Sequence, residues 1–230
     1  MKIPTDKLQS EGMARRRFLR YAAAGTAVMA GAVIASCSKD NSKQNIYNDH
    51  VDLGTGDIAI LNYAYALEQL EAAFYTQVIA SPYKNITTSE KSLLTDIRDH
   101  EVSHREFFKT ALAGVAIPKL TISLSSINFA DRTSVLSAAK SLEDLGISAY
   151  NGAGYLIKGV KYLTLVGKIV SVEARHASLI SNLITLGSFA DSKVIDLNGL
   201  DSALSPQQVI PVINTFISEK KILAPAFGVY

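Results

Sequence analysis

The chain has 230 residues, 48% of them hydrophobic and 19% charged, with a formal net charge of +2. That length suits one ordinary domain or two small ones; the chain is too apolar for disorder and too near neutrality to draw nucleic acid by charge. Its single cysteine excludes a disulfide framework and a four-cysteine zinc site.

Charge is unevenly spread. Residues 1–36 carry six Lys/Arg and two Asp/Glu, leaving 17 and 19 on residues 37–230. Within that first segment, Arg15-Arg16-Arg17-Phe18-Leu19-Arg20 precedes a small-residue apolar run from Tyr21 to Ser36. The run, about 16 residues, is short for a membrane span and has the length of a signal h-region. Two arginines, one variable position, Phe-Leu and a basic residue resemble a twin-arginine export signal. The ending Ile34-Ala35-Ser36-Cys37 resembles a lipobox. These resemblances imply a signal peptide over residues 1–36, lipidation of Cys37, and a periplasmic or cell-envelope lipoprotein held at a membrane surface. An uncleaved anchor helix and a buried free thiol at Cys37 are the alternatives. Residues 37–54 are polar and read as a flexible tether, with His50 given no structural task there.

Beyond the tether the pattern is helical. Asp57 can cap a first helix to about Ala80, with Ile60, Ala64, Leu67, Phe74 and Val78 on one stripe and Ser81-Pro82 as the stop. Thr88 or Ser89 caps a second, to about Ala113, ended by Gly114 and Pro118. Residues 115–130 lack helical periodicity. A third helix is expected from about Asp131 to Lys158 and a fourth from about Val160 to Leu186. Ser205-Pro206 opens a shorter fifth, to about Ser218, within a C-terminal extension over residues 191–230. Each main helix is roughly 36–42 Å long. Short links within pairs and one longer link between them predict an all-α four-helix bundle over residues 55–190 with one long crossover.

Aligning the two helix pairs exposes a duplication. Leu67-Glu68-Gln69-Leu70 through Tyr75 matches Leu142-Glu143-Asp144-Leu145 through Tyr150, with Leu, Glu, Leu and Tyr at identical offsets. Glu101-Val102-Ser103-His104 matches Glu173-Ala174-Arg175-His176. Each half therefore reads Glu, some thirty residues, then Glu-x-x-His. Residues three apart on a helix point the same way, so each Glu-x-x-His pair can bind one ion together. In an antiparallel bundle the helix middles lie level, and all four Glu fall near those middles. Four carboxylates and two imidazoles in a dry core repel ruinously without cations. Two divalent ions about 3.5–4 Å apart resolve this. Oxygen-rich ligation with one His per ion suits iron or manganese.

This arrangement resembles that of the ferritin-like di-iron and di-manganese carboxylate proteins. The Leu-Glu-x-Leu-Glu-Ala and Val-Glu-Ala-Arg-His helices are also similar to those of exported ferritin-like proteins of the desiccation-related type. The resemblance implies that Glu68 and Glu143 are terminal ligands, that Glu101 and Glu173 bridge, and that His104 and His176 each complete one ion. It implies two iron or manganese ions as cofactor and dioxygen or peroxide as reactant. Ferroxidase-like or manganese-catalase-like chemistry in oxidative-stress protection follows, with a homo-oligomer left open. The rival is a non-enzymatic, metal-stabilised structural or stress-protective envelope protein. Rubrerythrin-like peroxide reduction lacks a cysteine-rich electron-donor domain in this chain.

Several residues are less clear. Glu71 lies one turn from Glu68, but its repeat partner is Gly146, which suggests an outer-shell or surface role. Tyr75 and Tyr150, two turns from Glu68 and Glu143, either hydrogen-bond to ligating groups, relay an electron or simply fill the core. His100 points about 100° away from Glu101 and is expected at a solvated surface. Asp144 either accepts from a ligand histidine or sits at the surface. Gly152, Gly154 and Gly159 read as small-residue packing positions.

Overall fold

The computed structural model describes residues 49–230. The export-like segment and Cys37 lie outside the described residues. Four long helices dominate: α1 (Gly56–Ala80), α2 (Thr88–Leu112), α3 (Arg132–Gly154) and α4 (Val160–Ile184), followed by a short α5 (Pro206–Thr215). Helix α1 packs on α2, and α3 on α4, while α1 also meets α3. The predicted four-helix bundle with a long crossover and a short C-terminal helix is therefore what the chain forms. No helix among the described residues is long and apolar enough to cross a membrane.

The helix ends follow local chemistry. Thr87 accepts from Glu90 N at 3.1 Å, and Asp131 accepts from Ser134 N at 2.6 Å, so each fills an orphan donor of a first turn. Ser205 and Gln208 form a capping box on α5, with Pro206 in its first turn. Asp57 behaves otherwise than expected. Thr55 is the N-cap of α1, and the Asp57 carboxylate reaches across to Lys158 N at 2.9 Å and Gly159 N at 2.8 Å. It thereby ties down the turn that leads into α4 rather than capping its own helix. Helix α3 accordingly stops at Gly154, four residues short of the expected end, because a turn at 155–159 is needed to present those two amides.

One segment of the expected tether is structured. Residues His50–Asp52 form strand β1, parallel to β2 (Lys221–Leu223), with Val51 opposite Ile222 and both buried. His50 thus pairs with Lys221, and Leu53 is fully buried just after it. The all-α expectation missed this small ribbon, since two three-residue strands are too short to show an alternating pattern.

The crossover keeps its backbone satisfied by borrowing two buried amides from α1. Asn62 donates to Leu53 O and Val115 O and accepts from Ile117 N at 2.9 Å. Two turns along, Gln69 accepts from Leu120 N at 2.8 Å and donates to Pro118 O. These bonds fix a 115–120 segment that has no helical ladder of its own. Further on, Ile122 bridges Ile217 beside α5. Gly152 is packed so tightly on the 204 backbone that a Cβ there would lie 1.9 Å from Leu204 O.

The apolar interior comes in two blocks with a gap between them. One block includes Leu67, Phe108, Ala149 and Ile169; the other includes Leu70, Ile97, Leu142 and Ile180. On every long helix the interval between the blocks holds Glu, or Glu and His. The bundle is a sandwich of two hydrophobic layers around one polar layer.

Candidate metal centre

That polar layer contains Glu68, Glu101, His104, Glu143, Glu173 and His176, the six residues the duplication singled out, all buried. The four carboxylates are fully inaccessible. They fall into two overlapping groups with metal-ligand spacing: Glu68, Glu101, His104 and Glu173, and Glu101, Glu143, Glu173 and His176.

The atoms sort further. His104 Nδ1 lies 2.7 Å from Glu173 Oε1, 3.5 Å from Glu68 Oε2 and 3.6 Å from Glu101 Oε2. His176 Nδ1 lies 2.7 Å from Glu101 Oε1, 3.5 Å from Glu173 Oε2 and 3.6 Å from Glu143 Oε2. Each imidazole is closest to the glutamate of the opposite Glu-x-x-His motif, and the two halves repeat each other almost atom for atom. Glu101 and Glu173 contribute one oxygen to each set; Glu68 and Glu143 contribute one oxygen to one set.

The remaining oxygen of each of those two is already engaged. Tyr75 on α1 donates to Glu143 Oε1 at 2.6 Å, and Tyr150 on α3 donates to Glu68 Oε1. The tyrosines serve the carboxylate of the opposite half. Since 68 meets 150 and 75 meets 143, helices α1 and α3 run antiparallel with their crossing near Glu71 and Gly146.

None of the eight atoms in the two sets has a hydrogen-bond partner, although all are buried. Buried polar atoms are almost always paired, so eight that converge without the alignment of hydrogen bonds are a costly arrangement unless cations sit among them. Oxygen and imidazole donors without thiolate match hard or borderline metals such as iron and manganese. The residues present fit a dinuclear centre.

Metal-free, the cluster must hold protons instead. Burial, and next the Glu173 charge, push Glu68 up to about 8, and Glu143 is pushed well above the carboxylate range. Burial would also raise Glu101, but the two imidazoles outweigh it and bring it down to about 2. Burial would lower the imidazoles, yet the carboxylates win and raise both, His176 to about 12.

Glu71 is no surface residue. It is buried, both its oxygens lack partners, and burial with the surrounding carboxylates raises its pKa strongly. It stands beside the two groups rather than in them. His100 also departs from expectation: although exposed, its Nδ1 lies 2.9 Å from His176 Nε2. Asp144 pairs with Lys140 at 2.6 Å rather than with a histidine. Gly152 is a packing glycine, Gly159 abuts Asp57 and Tyr162, and Gly154 faces open space. The His100 contact had no signal in the duplication, because its repeat position is Val172.

Residues 56–186 match the ferritin-like domain family, which is more than half of the chain. The chain belongs to that family. No curated protein matches it.

Proposed function

We propose that this is an exported ferritin-like protein holding two iron or manganese ions and acting as an oxidoreductase on dioxygen or peroxide in oxidative-stress protection. One observation carries the metal centre: eight buried, unpartnered donor atoms divided four and four. In this reading Glu68 Oε2 and Glu143 Oε2 are terminal ligands, each kept to a single free oxygen by the phenol of Tyr150 or Tyr75. Glu101 and Glu173, with both oxygens free, bridge. His104 and His176 complete one position each through Nδ1. Two such ions, when bound, supply a paired redox centre able to exchange electrons with oxygen or peroxide. The chain's own part is to hold the donors level and to keep bulk water out between two apolar blocks. Placement on a cell-envelope membrane through Cys37 rests on the Arg15–Arg20 and Ile34–Cys37 patterns alone.

The test is to load the protein with iron(II) or manganese(II), add hydrogen peroxide or dioxygen, and follow the optical spectrum and peroxide concentration. Turnover, or a spectral change dependent on Glu101 and Glu173, supports the redox reading. A metal-loaded protein that ignores both oxidants yet melts at a higher temperature than the metal-free form contradicts it in favour of a metal-braced structural bundle.

A further inference from the structure

The two halves of the centre differ beside the carboxylates, at Glu71 and Gly146, and again behind the imidazoles. His176 presents Nδ1 to the carboxylates and Nε2 to His100 Nδ1, 2.9 Å away. The planes of these two rings differ by only 13°, with centroids 5.1 Å apart. A 5.1 Å separation with a 2.9 Å nitrogen contact is about the longest that the two ring radii permit. The contacting nitrogens therefore lie on the line between the rings, which are coplanar and edge to edge. This is an in-plane hydrogen bond of good geometry, not a face stack.

Its direction follows from the cluster. A neutral imidazole that offers the Nδ1 lone pair to an ion carries its only N–H on Nε2. Nε2 of His176 must then donate, and His100 Nδ1 accepts. His100, one residue before Glu101 on α2 and exposed, keeps its own N–H on Nε2. On the other side, symmetry would put Val172 behind His104, and valine has no acceptor. Among the described residues nothing bonds to His104 Nε2, and its ring meets His176 only at 6.3 Å and a 30° tilt.

We propose that His100 is a positioning residue that fixes the tautomer and plane of His176, so that the two metal positions are unequal and the His176 position binds its ion more tightly. This rests on the dinuclear reading above. Partners behind a ligating histidine orient the ring and raise its basicity, and their loss costs about 10–100-fold in affinity.

The experiment is titration of manganese(II) into the metal-free full-length protein, followed by calorimetry and electron paramagnetic resonance. Wild type is expected to bind two ions in separable steps. His100→Ala weakens the tighter step by about 10–100-fold and leaves the other within twofold. His100→Asn, whose Oδ1 can stand where Nδ1 stood, restores most of the difference. A plain loss of packing would not be rescued in this way. Val172→His, supplying an acceptor behind His104, strengthens the weaker step. Two steps unchanged in His100→Ala overturn the role of His100 while leaving the dinuclear centre intact. A wild type that binds neither manganese(II) nor iron(II), titrated in the same way, overturns both readings.

Discussion

A side chain at position 146 would collide with Glu71: a Cβ there falls 2.8 Å from Glu71 Oε1. One place where the repeat breaks, Glu on α1 and Gly on α3, is thus a complementary pair at the crossing of those helices. Gly146 is small because Glu71 occupies its space. Gly146→Ala must push the Glu71 carboxyl aside, which offsets the roughly 1 kcal/mol that alanine gains over glycine inside a helix. In a Glu71→Ala background the same change should stabilise by about 1 kcal/mol, since nothing then occupies the space. A double-mutant cycle by chemical denaturation of the metal-free protein checks this, and equal effects in both backgrounds would refute it.

The reciprocal tyrosine bonds give a second expectation. Tyr75→Phe and Tyr150→Phe each strip one carboxylate oxygen of its donor without changing shape. Each should destabilise the metal-free protein by about 1–3 kcal/mol, because a buried acceptor is left unpaired. The two losses should be similar, as the halves are equivalent at this point. Each variant should also bind manganese less tightly, as its freed terminal carboxylate is less well fixed. Unfolding curves and metal titrations of the pair decide it; a variant with wild-type stability would contradict it.

Stability should also depend on pH in a definite direction. Glu68 titrates at about 8 in the folded metal-free bundle, against an ordinary value of 4.5, mainly through burial. The folded state therefore holds a proton that the unfolded chain has lost, and the stability this confers is complete below about pH 4.5 and gone above about 8. His176, raised to about 12, acts in the same sense at higher pH. The denaturation midpoint of the chelated protein should fall as pH rises across this range. Metal binding, which must displace those protons, should strengthen over the same range and release acid. A midpoint that climbs with pH would count against the assignment.

Much of this was legible in the sequence for a simple reason. The Glu, Glu-x-x-His repeat states the ligand set twice, and helical periodicity fixes which face each member shares. The four helices, the crossover and the six central residues follow from that. What escaped lies in contacts with no local pattern. Asn62 and Gln69 look like ordinary polar residues of α1 until the crossover is seen to hang on them. Asp57 matches an N-cap pattern, yet the amides it satisfies are more than 100 residues further along. Glu71, legible only as an outer-shell or surface candidate, and His100, expected at the surface, gain no support from a repeat, which marks residues that recur; at both positions the halves differ.

Packing at the far end of α3 offers a structural control. Gly152→Ala would drive a methyl into the Leu204 carbonyl, a backbone atom with no rotamer by which to escape. The chain at 204 is itself tied to α3 by Leu204 N donating to Ser148 O at 2.9 Å. A cost of about 3 kcal/mol or more is expected, by overpacking against rigid backbone. Thermal denaturation should show it, with the metal stoichiometry of whatever folds unchanged.

The central claim is that the polar layer holds two metal ions. Metal content by plasma mass spectrometry, after reconstitution with iron(II) or manganese(II), tests it most directly, alongside a Glu101→Ala/Glu173→Ala double variant. The account predicts about two ions per chain in wild type, as in related di-metal bundles, and their loss in the variant. A folded helical wild type that remains metal-free with both metals would contradict it.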